Sequence, residues 1–136
     1  AQEFTRHRIE VRTALPAQLP TVTGDERLLA QALASVMSNA IEAMPDGGHI
    51  EVAGEVSSDL RSVRLCVRDS GIGMAAEQLA RAFDPFYTNK ARGLGVGLAL
   101  VKRIVELSRG QIALSSQPGR GTEVDFTFRA AGGARG

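Results

Sequence analysis

Tryptophan is absent from the 136 residues, tyrosine and cysteine occur once each, and histidine twice. Cys66 therefore has no internal disulfide partner, and one thiol with two scattered histidines cannot build a zinc site. Charge of one sign is also lacking. Lys and Arg total 16 against 15 Asp and Glu, a net charge of +1, so the electrostatic footprint of a nucleic-acid binder is missing. No apolar run approaches the ~20 residues of a membrane span, which implies no membrane contact by this domain. The chain starts at Ala1 without a charged-then-apolar leader, so it reads as a piece of a longer chain with no signal peptide. A reducing, cytoplasmic setting is compatible with the single cysteine.

Glycine is abundant, at 15 residues clustered around 71–73, 93–97 and 119–121. With 43% hydrophobic residues, the length suits a single core, a domain spanning 1–136. Ile9 and Val11 alternate with charged residues within Thr5–Ala14, the pattern of an edge strand. Thr23-Gly24-Asp25 offers a cap for a helix of about 19 residues. Its stripe comprises Leu28, Leu29, Ala32, Leu33, Val36, Met37, Ala40, Ile41 and Met44. Ile50, Val52 and Val56, then Val63, Leu65 and Val67, alternate around the turn Ser57-Ser58-Asp59, a hairpin. A short helix is expected over Ala75–Ala82 and a longer one over Val96–Ser108, closed by a left-handed cap at Gly110. Strands over 111–115 and 122–128 flank Pro118-Gly119-Arg120-Gly121, and 130–136 reads as a loose tail. This order predicts an α+β two-layer sandwich, its hairpins antiparallel and its helices on one face.

Four places carry candidate chemistry. At ~100° per residue, Asn39 borders the apolar stripe of the long helix, near Ser35 and Glu42. A border amide either closes a hydrogen-bond network or offers a neutral oxygen to a hard cation beside phosphates. Asp69 ends the apolar face of Val63, Leu65 and Val67, where an unpaired charge is costly. It either forms an Asx turn onto Gly71 or accepts from a ligand N–H, and an acceptor-only group separates an amine from a carbonyl. Gly71-Ile72-Gly73 with Ala76 matches a dinucleotide fingerprint, but Asp84-Pro85 interrupts the next helix and no acidic residue follows at the ribose-binding distance.

Glycines at 93, 95 and 97 alternate into the start of a helix, with Lys90 and Arg92 adding positive charge. That segment is either a flexible surface loop or a phosphate cradle. No Gly-Lys-Ser/Thr follows, so it is not a Walker loop. Thr122 shares a face with Val124, Phe126 and Phe128, as a core threonine or as a second polar handle in a pocket.

Taken in order, SVMSNAIEAM, DSGIGM, FDPFYTNK, GLGVGLAL and GRGTEVDFTF resemble the ATP-binding domain of sensor histidine kinases. That superfamily (the Bergerat fold) also includes topoisomerase, heat-shock-chaperone and mismatch-repair ATPases. The resemblance covers about residues 6–129 and implies a mixed, mostly antiparallel five-stranded sheet packed by about three helices. It implies that Asn39 ligates magnesium, and that Asp69 accepts from the adenine amine of ATP or ADP. Gly71 and Gly73 would approach the base, with Ala43, Ile72 and Leu98 lining its slot and Thr122 reaching it directly or through water. Gly93, Gly95 and Gly97, with Leu94 and Val96 between them, would wrap the phosphates, and Lys90 would touch them. A lid would run over about Thr88–Leu94, with Phe83 and Phe86 at its root.

Two departures stand out. Where the ATPase branches place a water-activating Glu, this chain has Ser35, which is no general base; Glu42 is the nearby substitute. Neither His7 nor His49 resembles the family's phosphoacceptor segment. The resemblance thus implies an isolated, monomeric catalytic half. Its partners would be the dimerisation and phosphoacceptor domain of a homodimeric parent, and a response-regulator receiver. A serine kinase of the anti-sigma-factor type and a non-catalytic ATP-sensing module are the rivals, ahead of a self-contained ATPase.

Overall fold

The computed structural model describes residues 8–16, 20–84 and 97–130. Among the described residues, the elements follow as β1 (Ile9–Ala14), α1 (Glu26–Glu42), β2 (Gly48–Val56), β3 (Ser62–Asp69), α2 (Ala76–Ala80), α3 (Gly97–Leu107), β4 (Gln111–Ser116) and β5 (Thr122–Arg129). The strands form one sheet in the order β1-β2-β3-β5-β4. β1 runs parallel to β2 and every other pair is antiparallel. The reason is local: α1 is the crossover a parallel pair requires, whereas the β2–β3 and β4–β5 connections are short. The expected mixed, mostly antiparallel sheet is therefore found.

α1 begins where the sequence places its cap. The Asp25 carboxylate accepts from the N–H groups of Arg27 and Leu28, at 2.9 and 3.2 Å, which satisfies two otherwise orphaned donors. Of the predicted stripe, Ala32, Val36, Ala40, Ile41 and Met44 are buried, while Leu28, at its solvent margin, is exposed. These side chains pack with Val101, Ile104 and Val105 of α3 against Ile50, Val67, Val124, Phe126 and Phe128 of the sheet. A Cβ on Gly24 would meet Ser108 at the end of α3. The start of α1 thus lies beside the end of α3, and the two packed helices are antiparallel. The start of α3 consequently faces the C-terminal half of α1.

The end of α3 corrects the expected cap. The left-handed residue is Arg109, with φ 62°, and not Gly110. Arg109 N–H donates to Glu106 C=O and Gly110 N–H to Val105 C=O, both at 2.9 Å, the paired bonds of a Schellman closure. Glycine stands at 110 for a different reason: a Cβ there would lie 2.6 Å from the Thr127 carbonyl oxygen. The helix end presses directly on β5.

Thr5–His7 and residues 131–136 lie outside the described residues. Ala130, where the tail was expected to begin, is buried and bridges Val22. The face of the sheet away from the helices carries ions. Arg68 pairs with Glu123 at 2.7 Å and Glu51 at 3.6 Å, and Arg64 with Asp125 at 3.1 Å and Glu55 at 3.5 Å.

Candidate functional site

The helical layer and the sheet leave one corner built almost entirely from the predicted residues. Asp69, the last residue of β3, pairs in register with Ile50 on one side and Thr122 on the other. It is 8% exposed. Its Oδ1 accepts from Gly71 N–H at 2.8 Å and from Thr122 N–H at 3.2 Å. The Asx turn is therefore real, yet it engages only one oxygen. Among the described residues, Oδ2 receives no hydrogen bond. Burial pushes the Asp69 carboxyl above its usual range, and the two backbone N–H groups offset part of that effect.

The loop after β3 is fastened to the end of α1. Ile72 N–H donates to Ala43 C=O at 3.0 Å, and Ile72 C=O accepts from Gly119 N–H at 2.7 Å. A Cβ at Gly71 would lie 2.6 Å from the Ala43 carbonyl oxygen. Gly73 has φ +72°, and a Cβ there would run into the Gln117 backbone. Ile72 itself is 62% exposed, an apolar side chain held out beside a buried acceptor. That pairing suits a flat, apolar ligand with an N–H at its edge.

Asn39 lies on α1 one turn before its C-cap Ala43, half-buried, and its backbone carbonyl accepts from Ala43 N–H at 3.0 Å. Glu42 is exposed, and Ser35 is half-buried one turn earlier. Gly97 opens α3, and Leu98 is half-buried behind it. The fold thus brings Asn39, Ala43, Asp69, Gly71, Ile72, Gly73 and Thr122 to one corner, with the α3 start facing it. Lys90, Gly93, Leu94, Gly95, Val96, the lid segment and Phe86 lie outside the described residues. Phe83 is half-buried, and Lys102 Nζ sits 5.2 Å from its ring centroid, a cation–π tie to α3.

Residues 24–132 match the family described as histidine kinase-, DNA gyrase B-, and HSP90-like ATPase. The chain belongs to this family. Sensor histidine kinase ZraS of Escherichia coli is 38% identical over 122 residues, which are 90% of this chain and 26% of the relative. The nucleotide-free catalytic domain of histidine kinase ThkA superposes with a TM-score of 0.83 at 26% identity, covering 95% of this chain and 84% of that one. Full-length ShkA in complex with AMPPNP gives 0.80 at 30% identity, over 96% of this chain and 28% of that one. Within the family, the chain is thus a histidine-kinase-type ATP-binding domain. It spans only 13% to 26% of the length of the curated relatives it matches first.

Two serines escaped the reading of the sequence. Ser70 Oγ accepts from His49 N–H at 3.0 Å, pinning the β3 end to β2. Ser116 Oγ bonds to Met74 N–H, Gly121 C=O and Thr122 Oγ1 at 2.8, 2.8 and 2.9 Å. A signal for Ser116 existed, since the period of two from Ile112 and Leu114 puts it on the core-facing side. A second polar cluster, Cys66 with Glu123 and Asp125, lies on the ionic face. Burial and the Asp125 carboxylate push its thiol up to about 12. The proton stays on sulfur, and Glu123 and Asp125 are spent on Arg68 and Arg64.

Proposed function

We propose that the chain is the catalytic half of a sensor histidine kinase, binding Mg-ATP and delivering its γ-phosphoryl group to a histidine on a separate dimerisation domain. The observation that carries this reading is Asp69, buried, with Oδ1 committed to backbone N–H groups and Oδ2 receiving no hydrogen bond among the described residues. An acceptor there takes the adenine amine and rejects a carbonyl. Ala43, Ile72 and Leu98 would flank the base, and Thr122 would reach it directly or through water. The AMPPNP complex of ShkA supports a nucleotide as the ligand.

Asn39 offers an amide oxygen at the helix border, one turn from the base-binding end, which fits a magnesium ligand. The ion would offset charge on the phosphates. The start of α3 would face the same charge with its free N–H groups. Gly93, Leu94, Gly95, Val96 and Gly97 would supply backbone N–H groups to the phosphates, and Lys90 its ammonium. In the transfer, a histidine ring nitrogen attacks the γ-phosphorus and the bond to the ADP oxygen breaks. The domain contributes position and charge neutralisation. Ser35 supplies no base to activate water, so hydrolysis is slow, and Glu42 is the residue to test for residual turnover.

On this reading the isolated domain, spanning 1–136, is monomeric and the parent is a homodimer. The phosphoryl group passes to a response-regulator receiver in the cytoplasm. Incubating the parent chain with γ-labelled ATP and magnesium tests it. Label lost in acid and kept in alkali is phosphohistidine, the expected result. Acid-stable label indicates the serine-kinase rival, and ATP binding without label indicates a sensing module.

A further inference from the structure

Ser116, at the end of the edge strand β4, makes three hydrogen bonds whose directions can be counted. Its hydroxyl has one proton and two lone pairs. The Gly121 carbonyl, 2.8 Å away, can only accept, so it takes the proton. The Met74 N–H, also at 2.8 Å, can only donate, so it occupies one lone pair. The 2.9 Å contact with Thr122 Oγ1 is then satisfied only if Thr122 donates to the remaining lone pair. Thr122 has thereby spent its proton. Its oxygen keeps only lone pairs to offer, on the residue that pairs directly across the strands from Asp69.

We propose that Ser116 is a specificity-determining residue, which acts by locking the Thr122 hydroxyl as an acceptor. The inference rests on the nucleotide reading of this corner and deepens it. Beside Asp69, Thr122 then adds a second acceptor where a free hydroxyl would have offered a donor. The 6-amino group of a purine carries protons for these acceptors, whereas a 6-oxo group turns a carbonyl oxygen on them and finds no proton to meet it. Leaving such a group unpaired is the more costly error, because desolvation is not repaid. Ser116 touches no ligand itself. It is a positioning residue acting through Thr122.

The test is calorimetric titration of the 136-residue chain with Mg-ATP and with magnesium inosine triphosphate, which differ in 6-amino against 6-oxo and, with it, in a bare N1 against N1–H; the change in preference between variants is the readout. Ser116→Ala frees the Thr122 proton, so the preference for ATP over the inosine nucleotide narrows by roughly three- to tenfold. Ser116→Thr keeps a hydroxyl and the wild-type preference. In a Thr122→Val background, Ser116→Ala leaves the preference unchanged. A Ser116→Ala variant that weakens both nucleotides in proportion overturns the inference while leaving the nucleotide reading intact. A wild-type chain that binds neither overturns both. Should Ser116→Ala fail to fold, Thr122→Val decides alone: loss of an acceptor costs ATP more than the inosine nucleotide, and the reverse order refutes the lock.

Discussion

At Asp69, stability and the proposed adenine contact pull in opposite directions. Its carboxyl is raised by burial, so the native state holds its proton more tightly than the unfolded chain does. Stability therefore falls as pH rises from the ordinary value of 3.8 through the raised one, and stays lower above it. Asparagine preserves an oxygen for the Gly71 and Thr122 N–H groups and removes the buried charge. Asp69→Asn should melt no lower than wild type at neutral pH, and its relative advantage should grow with pH across that window. Nucleotide binding should be lost in the same variant, because the new NH₂ group opposes the adenine amine. Thermal melts between pH 3 and 7 beside ADP titration check both halves. A large fall in melting temperature would mean that the charge itself holds the corner together. The sequence exposed Asp69 because strand alternation marks a carboxylate on an apolar face. It left Ser116 unread because a serine on that face is chemically silent until its three partners are known.

Helices and strands were legible where period and cap agree. Asp25, the stripe from Ala32 to Met44 and the Pro45–Gly48 break placed α1 within a few residues of its observed Glu26–Glu42. The end of α3 was less legible, because two glycine roles look identical in one dimension. Gly110 is required by the closeness of β5, a tertiary fact, while the left-handed turn falls on Arg109, which gives no local sign of it. The two roles separate by substitution. Arg109→Gly should stabilise the chain by about 0.5–1 kcal/mol, since the strained conformation costs a non-glycine residue about that much. Gly110→Ala should destabilise it by ~2 kcal/mol, through the clash with the Thr127 carbonyl. Urea midpoints with unchanged slopes would record both. Equal and small effects at the two positions would put the glycine back in the cap.

Across the whole molecule, the two faces of the sheet divide the labour. One face joins the antiparallel helices and delivers its polar residues to the Asp69 corner. The other is a grid of ion pairs, whose individual members, exposed on the arginine side, contribute little to stability. What the grid does control is Cys66, at the centre of the sheet. Strand alternation marks this position as facing away from Val67, but only the cross-strand register brings Asp125 and Glu123 beside it. Burial first, then the Asp125 hydrogen bond and charge, lift the thiol from 9.0 to about 12. Thiolate is the reactive form, so near pH 8 the folded chain holds about a thousandfold less of it than the unfolded chain. Alkylation by iodoacetamide should thus be slower in the native state than in urea by two orders of magnitude or more. Asp125→Asn, which removes the nearest negative charge, should speed native labelling without a matching loss of stability. If native labelling instead matched the unfolded rate, β3 would be opening far more often than a central, doubly paired strand should. If it slowed in step with added stability, reaction would be passing through the unfolded chain, and Cys66 would report global opening.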